Sequence, residues 1–286
     1  MAGKLFGRRT RLTIRPKDAD AFYIDGKSID RDGFDISFDI AKDMETKPNK
    51  GKFIVYNLPE DVRAKLEVDD DAVIEFEAGY KTTSAIVFKG NIAHVLSTLN
   101  GPDMETHIEA GEGHKAYRKS YVAKSYGAGT PFKTVVEDIV KTFDGFKVTP
   151  AITRTIANVG KSFPNGLTLD GRSARVLNDV LKHGDLEFSI NNNEIQIVKT
   201  DTRASEAPTI VLDYTSGLVN VPQLGDKDGK PKIDFQSLLQ PGLVPGRKVQ
   251  LDWGVGKKNV VVRTVKITGS NFDDAFYCNC EAALPS

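Results

Sequence analysis

Phe34-Asp35-Ile36-Ser37-Phe38-Asp39-Ile40 alternates apolar and polar side chains without a break. Successive side chains of a strand point to opposite faces, so a period of two marks a strand with one apolar face and one wet face. The same pattern recurs on both sides of this stretch. Leu12 and Ile14 mark a short strand before it, and Lys52-Phe53-Ile54-Val55-Tyr56 another after it. Leu58 to Leu66 fits a short helix, with Pro59 near its first turn and Glu60 and Asp61 where the helix dipole favours acids. Residues 72–78 resume the strand pattern, and 85–99 extend it with a break at Gly90. Asn100-Gly101-Pro102-Asp103 is a turn from which Glu105 to Ala110 returns as a hairpin partner. Strands linked by turns at this spacing predict a small barrel or sandwich over residues 1–114.

The period then changes. Phe132, Val135, Val136, Ile139, Val140 and Phe143 follow the spacing of an amphipathic helix, with Thr130 as its N-cap, Pro131 in first position and Asp144-Gly145 as its stop. A second helix carries Ala174, Leu177, Val180 and Leu181 and ends at Gly184, with a turn at Pro164-Asn165-Gly166 between the two. Glu187 to Ile190 and Glu194 to Val198 flank Asn191-Asn192-Asn193, which reads as a hairpin whose tip tolerates left-handed dihedrals. Residues 115–200 are therefore α+β. Residues 201–207 are polar and poor in strand formers, a linker. Strand patterns return at Ile210–Leu212, Lys248–Trp253, Val260–Ile267 and Phe276–Ala282, interrupted by a turn over Gly225–Pro231. The section 201–286 is again β. Gly90 to Ala110 runs strand, turn, strand and closes in His107-Ile108-Glu109-Ala110; Arg263 to Ala282 does the same and closes in Asn279-Cys280-Glu281-Ala282. That faint repeat is what two copies of one barrel, separated by an α+β insert, would leave.

Composition sets the outer bounds. A chain of 286 residues has room for two or three domains, and 40% hydrophobic with 27% charged residues is ordinary for a globular protein. Lys plus Arg equals Asp plus Glu at 39 each, so a formal charge of zero argues against nucleic acid or an anionic membrane as a whole-surface partner. The start is locally basic: Lys4, Arg8, Arg9, Arg11, Arg15 and Lys17 precede the first acid, Asp18. Six cations could face DNA, lipid or an acidic partner; the preferred reading is the wet side of a first strand plus a frayed end. No apolar segment follows as in a signal peptide and none is long enough to span a bilayer, so folding in a cytoplasm is expected. Cys278 and Cys280 lie two apart in a strand pattern, on one face of it. That geometry is poor for pairing and predicts two buried free thiols.

Motifs that carry chemistry are missing. Gly111-Glu112-Gly113 and Gly127-Ala128-Gly129-Thr130 continue neither to a third fingerprint glycine nor to Gly-Lys-Ser/Thr, so they read as flexible entries to helices. His94, His107, His114 and His183 match no zinc spacing. Asp69-Asp70-Asp71 and Asp226-Lys227-Asp228-Gly229 lack the later bidentate acid of a calcium loop and read as solvated turns. No residue is assigned a catalytic, cofactor-binding or metal-binding role. An acid–base pair of carboxylates stays open, because such pairs assemble in space and the chain has 39 acids.

Three stretches together carry a resemblance. They are Lys47-Pro48-Asn49-Lys50-Gly51-Lys52-Phe53-Ile54-Val55-Tyr56-Asn57-Leu58; Phe88-Lys89-Gly90-Asn91-Ile92 with Ile108-Glu109-Ala110-Gly111-Glu112-Gly113; and Leu238-Leu239-Gln240-Pro241-Gly242-Leu243-Val244-Pro245-Gly246-Arg247-Lys248-Val249-Gln250-Leu251 with Val260 to Thr268 and the last hairpin. In their order along nearly the whole chain they resemble the central baseplate hub proteins of contractile-tailed bacteriophages, the group of the late control proteins.

The resemblance implies a mainly β fold with an α+β insert: two tail-tube-like β-barrel domains, 1–114 and 201–286, joined by a small α+β domain, 115–200. It implies a homotrimer whose six barrels form a pseudo-sixfold ring, continuing the tail tube above and receiving a trimeric central spike below, with a channel for genome ejection. The partners implied are the spike, the tail tube protein, other baseplate proteins, a tape-measure protein and DNA in transit, without stable membrane insertion. The location implied is the virion tail baseplate, reached through the host cytoplasm during assembly. No enzyme activity and no cofactor are implied. Two rival functions are a peptidoglycan hydrolase of the tail tip, with carboxylates as acid and base, and a tail-tube completion protein with one barrel per chain.

Overall fold

The computed structural model describes residues 7–45, 47–67, 72–200, 207–227, 230–273 and 275–284. Strands make up 51% of the described residues and helices 16%, which places the chain in the mainly β class the sequence predicts. The first section contains β1 (Arg8–Arg15), β2 (Phe22–Asp25), β3 (Ile36–Lys42), β4 (Lys50–Tyr56), α1 (Glu60–Glu67), β5 (Val73–Tyr80), β6 (Ala85–Asn100) and β7 (Asp103–Gly111). The middle section runs α2 (His114–Lys119), β8 (Tyr121–Tyr126), β9 (Thr130–Pro131), α3 (Phe132–Lys141), α4 (Pro150–Ala157), β10 (Ser162–Phe163), β11 (Leu167–Arg172), α5 (Ser173–Lys182), β12 (Leu186–Asn191) and β13 (Glu194–Lys199). The last section holds β14 (Ile210–Leu212), β15 (Gln223–Lys227), β16 (Lys230–Leu238), β17 (Lys248–Asp252), β18 (Lys257–Ser270) and β19 (Phe276–Ala283).

The strands of the first and last sections join in one 13-stranded sheet, in the order β15-β16-β19-β18-β3-β4-β7-β6-β5-β1-β2, with β17 also on β18 and β14 on β17. Two separate closed barrels are not formed among the described residues. The reason is the antiparallel pairing of β3 with β18, Ile40 opposite Ile267, which fuses the two β sections edge to edge. They share one apolar core, in which Phe276, Phe38, Phe76, Phe53 and Phe88 form a chain of ring contacts with centroids 4.8–5.7 Å apart. The middle section builds a second core from α3, α5 and the β12–β13 hairpin, centred on Phe132, Ile139, Leu177 and Phe188.

The faint repeat becomes a register. In the first section β5, β6, β7 and β4 lie side by side; in the last, β17, β18, β19 and β16 do so in the same order. Ile92 faces Ala110 and His94 faces Glu109, with Ala93 bulged out between them. Val262 faces Ala282 and Thr264 faces Glu281, with Arg263 bulged out. On the far side of each hairpin, Gly51 and Phe53 sit opposite Ala110 and Ile108, as Ile233 and Phe235 sit opposite Ala282 and Cys280. Both bulges fall just past the point where the long strand parts from its shorter neighbour, β5 in one case and β17 in the other. A bulge bends its strand and sharpens the local twist, which lets one strand serve two differently inclined neighbours.

Several elements differ from the expectation. Thr130 does not cap α3: its hydroxyl donates to the Gly127 carbonyl at 2.8 Å, and Pro131 holds the N-cap position. Residues 225–227 and 230–231 are not part of a bare turn but belong to β15 and β16, paired from Gln223–Asp234 to Lys227–Lys230. The short elements α2, α4, β2 and β8 to β11 carry too few periodic residues to announce themselves. The Asn tip holds, with φ of 52° at Asn192 and 60° at Asn193.

Candidate functional site: a wet sheet face and a buried ionic junction

Residues directly opposite across a ladder share a face of the sheet. From β3 outward this places Asp39, Lys52, Glu109, Lys266, Asn279 and Asp234 on one side. The opposite side carries Phe38, Phe53, Ile108, Ile267, Cys278 and Phe235 and is the core. The wet side pairs its charges internally. Lys52 Nζ lies 2.9 Å from Glu109 Oε1, Lys266 Nζ 3.0 Å from Asp39 Oδ2, and Lys232 Nζ 2.8 Å from Asp234 Oδ2. Gln236 donates to Asn279 at 2.9 Å. The hydrogen bond from Lys52 holds the Glu109 carboxyl below its usual range, and the one to Asp234 raises Lys232. Exposed pairs of this kind contribute little to stability. Their effect is to make a long polar wall with little unbalanced charge.

The second feature is buried. Lys42 closes β3, Asn49 precedes β4 and Glu112 follows β7, so three chain segments bring these side chains to one end of the sheet. Lys42 Nζ and Glu112 Oε1 are 2.7 Å apart with both side chains fully buried. Lys42 also donates to Asn192 Oδ1 at 2.6 Å, and the Asn192 amide donates to Glu112 Oε1 at 3.0 Å. Asn49 Nδ2 donates to Glu112 Oε2 at 2.8 Å, to the Ile190 carbonyl at 3.0 Å and to Asn191 Oδ1 at 3.0 Å. The Asn tip of the β12–β13 hairpin is thus plugged into the end of the large sheet. Gly113 starts α2 with φ 64°, and a Cβ there would lie 2.7 Å from Ile190 Cδ1. Gly111-Glu112-Gly113 is therefore a packing joint between sheet and insert. Burial, then the Asp43 and Glu112 carboxylates, push the Tyr117 hydroxyl well above its usual range.

The other residues weighed in the sequence fall apart in space. His107 pairs with Glu105 at 2.9 Å on the wet face, and His183 stacks on Phe163 in the insert. Among the described residues no three His, Cys, Asp or Glu side chains cluster as a metal ion would require. Asp69, Asp70, Asp71, Asp228 and Gly229 lie outside the described residues, as does Lys4. Arg9, Arg11 and Arg15 line β1 and meet Asp30 at 2.7 Å, Asp25 at 2.5 Å and Glu75 at 3.1 Å. They form the wet side of a strand and are neutralised there. No described helix is long and apolar enough to cross a membrane. The junction was missed by sequence reasoning, because its members lie up to 150 positions apart and no local spacing links them.

Cys278 and Cys280 are buried free thiols, as their spacing predicts. Burial raises Cys278 to about 11 and Cys280 well above its ordinary value. The thiolate is the reactive form, so at pH 8 the native chain is expected to resist iodoacetamide, while unfolded chain takes up two equivalents. Mass spectrometry of the labelled protein checks this; rapid native labelling of either thiol contradicts it.

A family model described as baseplate hub gp41 matches residues 25–282. A search of the curated proteins returns no match. Among solved structures, the chain is similar to a 43 kDa tail protein of prophage MuSo2 from Shewanella oneidensis, with TM-score 0.63 and 7% identity over 96% of this chain and 97% of that one. It is similar to a tail protein from Neisseria meningitidis, with TM-score 0.61 and 7% identity over 96% of both chains. A third likeness, TM-score 0.58 and 9% identity over 96% of this chain and 77% of the other, is to the E. coli c3393 protein, described as a component of the type VI secretion system. At such identities these structures speak for the fold alone. The family match spans most of the sequence, and the chain belongs to the baseplate hub gp41 family.

Proposed function

We propose that this member of the baseplate hub family is a non-enzymatic subunit that assembles as a homotrimer. Each chain supplies two tube-like β modules, 1–114 and 201–286, with 115–200 as a peripheral α+β domain. Three chains then complete a ring of six similar modules. Such a ring matches a sixfold tail tube on one side and offers true threefold symmetry to a central spike on the other. The wet sheet face lines the lumen, where its paired charges let DNA pass without a strongly attractive or repulsive wall.

The observation that supports this reading is the repeat of strand order and bulge position within one chain. A homo-oligomer closes by rotation, and an internal duplication lets threefold closure present six near-equivalent positions. The test is symmetry counting in tail particles by electron cryo-microscopy. A threefold ring of this chain at the distal end of the tube, two modules per chain, is expected. Six copies with one module each in the ring, or absence of the chain from particles, overturns the reading.

A further inference from the structure

The sheet of a single chain is open at β15, and among the described residues β6 beyond residue 92 has no strand on the side that β5 occupies before it. The duplication says what belongs there. In the last section the corresponding half of β18, Val265–Ser270, is occupied by β3: Lys42 faces Val265, Ile40 faces Ile267 and Phe38 faces Gly269. Carrying each residue to its counterpart through the shared ladders, Val265–Ser270 becomes Val95–Asn100 and Asp39–Ala41 becomes Gln223–Gly225. Within the chain this joint is filled. In its mirror, neither β15 nor the far half of β6 carries a further paired strand among the described residues; α1 lies beside that half of β6, where the Ser97 hydroxyl donates to Glu67 Oε1 at 3.0 Å.

The exposed side chains point the same way. Ile40 is 0% exposed under the β3–β18 joint, whereas its counterpart Leu224 is 69% exposed. Leu99, Leu96 and Val221 are exposed on the same two segments, where their counterparts Gly269, Lys266 and Ser37 offer no such apolar surface. Long exposed apolar edges invite strand pairing and are rarely left bare in soluble proteins.

We propose that β15 of one chain pairs antiparallel with residues 95–100 of β6 in the neighbouring copy, in the register of β3 on β18. Leu224 then lies opposite Ser97, Gln223 opposite Thr98, and Leu96 opposite Gly225. The proposal rests on the trimeric ring argued above and names the joint that closes it. Each chain contributes one covalently tethered joint, β3–β18, and one joint between chains, so the two alternate around the ring.

The orientation of the peptide groups agrees. The Asp35 carbonyl accepts from Tyr56 of β4, while the Ile36 carbonyl accepts from Asn271 beyond β18. Since the sides alternate, Ile36, Phe38 and Ile40 present their peptide groups to β18. Their counterparts on the open edge include Pro222 and Leu224. Pro222 has no N–H and removes one bond from the joint, whereas Leu224 and Ser97 exchange two. Gln223 and Thr98 form the intervening non-bonded pair, whose Cα atoms approach to about 4.5 Å, within disulfide range.

The test uses the full chain carrying Thr98→Cys and Gln223→Cys, assembled into tails, oxidised, and sized on a non-reducing denaturing gel; Cys278 and Cys280 are buried and silent. A covalent trimer band is expected, roughly tenfold more intense than for Asn100→Cys with Gln223→Cys, which lies two residues out of register. Threefold tails without the trimer band overturn the pairing and leave the ring standing. Tails in which the chain is not threefold overturn the ring and the pairing with it. Equal cross-linking by both pairs also overturns the register.

Discussion

Glu112→Ala is expected to lower the unfolding free energy by about 3–5 kcal/mol, the cost of removing one partner from a buried ion pair. The carboxylate accepts from Lys42, Asn49 and the Asn192 amide. Without it, the Lys42 ammonium stays buried beside Asn192 Oδ1 and the Phe88 ring, whose centroid is 5.9 Å away. Neither replaces a full negative charge. The paired change Lys42→Met with Glu112→Leu is expected to cost much less than either single change, since it removes the stranded charge together with its partner. Urea unfolding followed by far-ultraviolet circular dichroism measures both. A single-variant loss below about 1 kcal/mol would show the pair to be dispensable. The junction couples two cores, so Glu112→Ala is also expected to split the transition: the insert, cut off from the sheet, unfolds at lower urea.

That junction marks the limit of what the sequence made legible. The strand at Ile36–Lys42 and the helices at Phe132–Lys141 and Ser173–Lys182 were plain because their periodic runs are long enough to show. The Asn191–Asn193 tip was plain because left-handed backbone selects for its composition. β16 was not, although Ile233 and Phe235 alternate with polar residues. Asp, Lys, Gly and Pro at its start read as a turn and masked the strand behind it. The repeat showed only at Glu109-Ala110 and Glu281-Ala282, where a bulge constrains the residues opposite. At other core positions the two halves keep register and burial while the residues differ, Gly51 against Ile233 and Phe76 against Leu251. The fusion of both halves into one sheet depends on β3 meeting β18 across more than 220 positions of chain, a contact that no local pattern encodes.

Phe76→Ala is expected to cost about 3–5 kcal/mol, the range for emptying a large aromatic site in a close-packed core. The side chain is fully buried, with Phe38 and Phe53 at 4.8 and 4.9 Å between ring centroids. The cavity would open in the middle of the aromatic row, between Phe38, which leads to Phe276 of the last section, and Phe53, which leads to Phe88 of the first. Leu251→Ala, at the counterpart position in the last section, is expected to cost about 2–5 kcal/mol. The more telling outcome is where the loss is felt. Trp253 is the single tryptophan and packs against the shared core from the last section. If the two β sections are one cooperative body, Phe76→Ala shifts the urea transition seen by Trp253 as far as the one seen by circular dichroism of the strands. A Trp253 transition that stays put while the first section loosens would mean that the β3–β18 joint carries backbone hydrogen bonds but no shared stability. The two halves would then behave as tethered modules that reach full stability only when the ring closes.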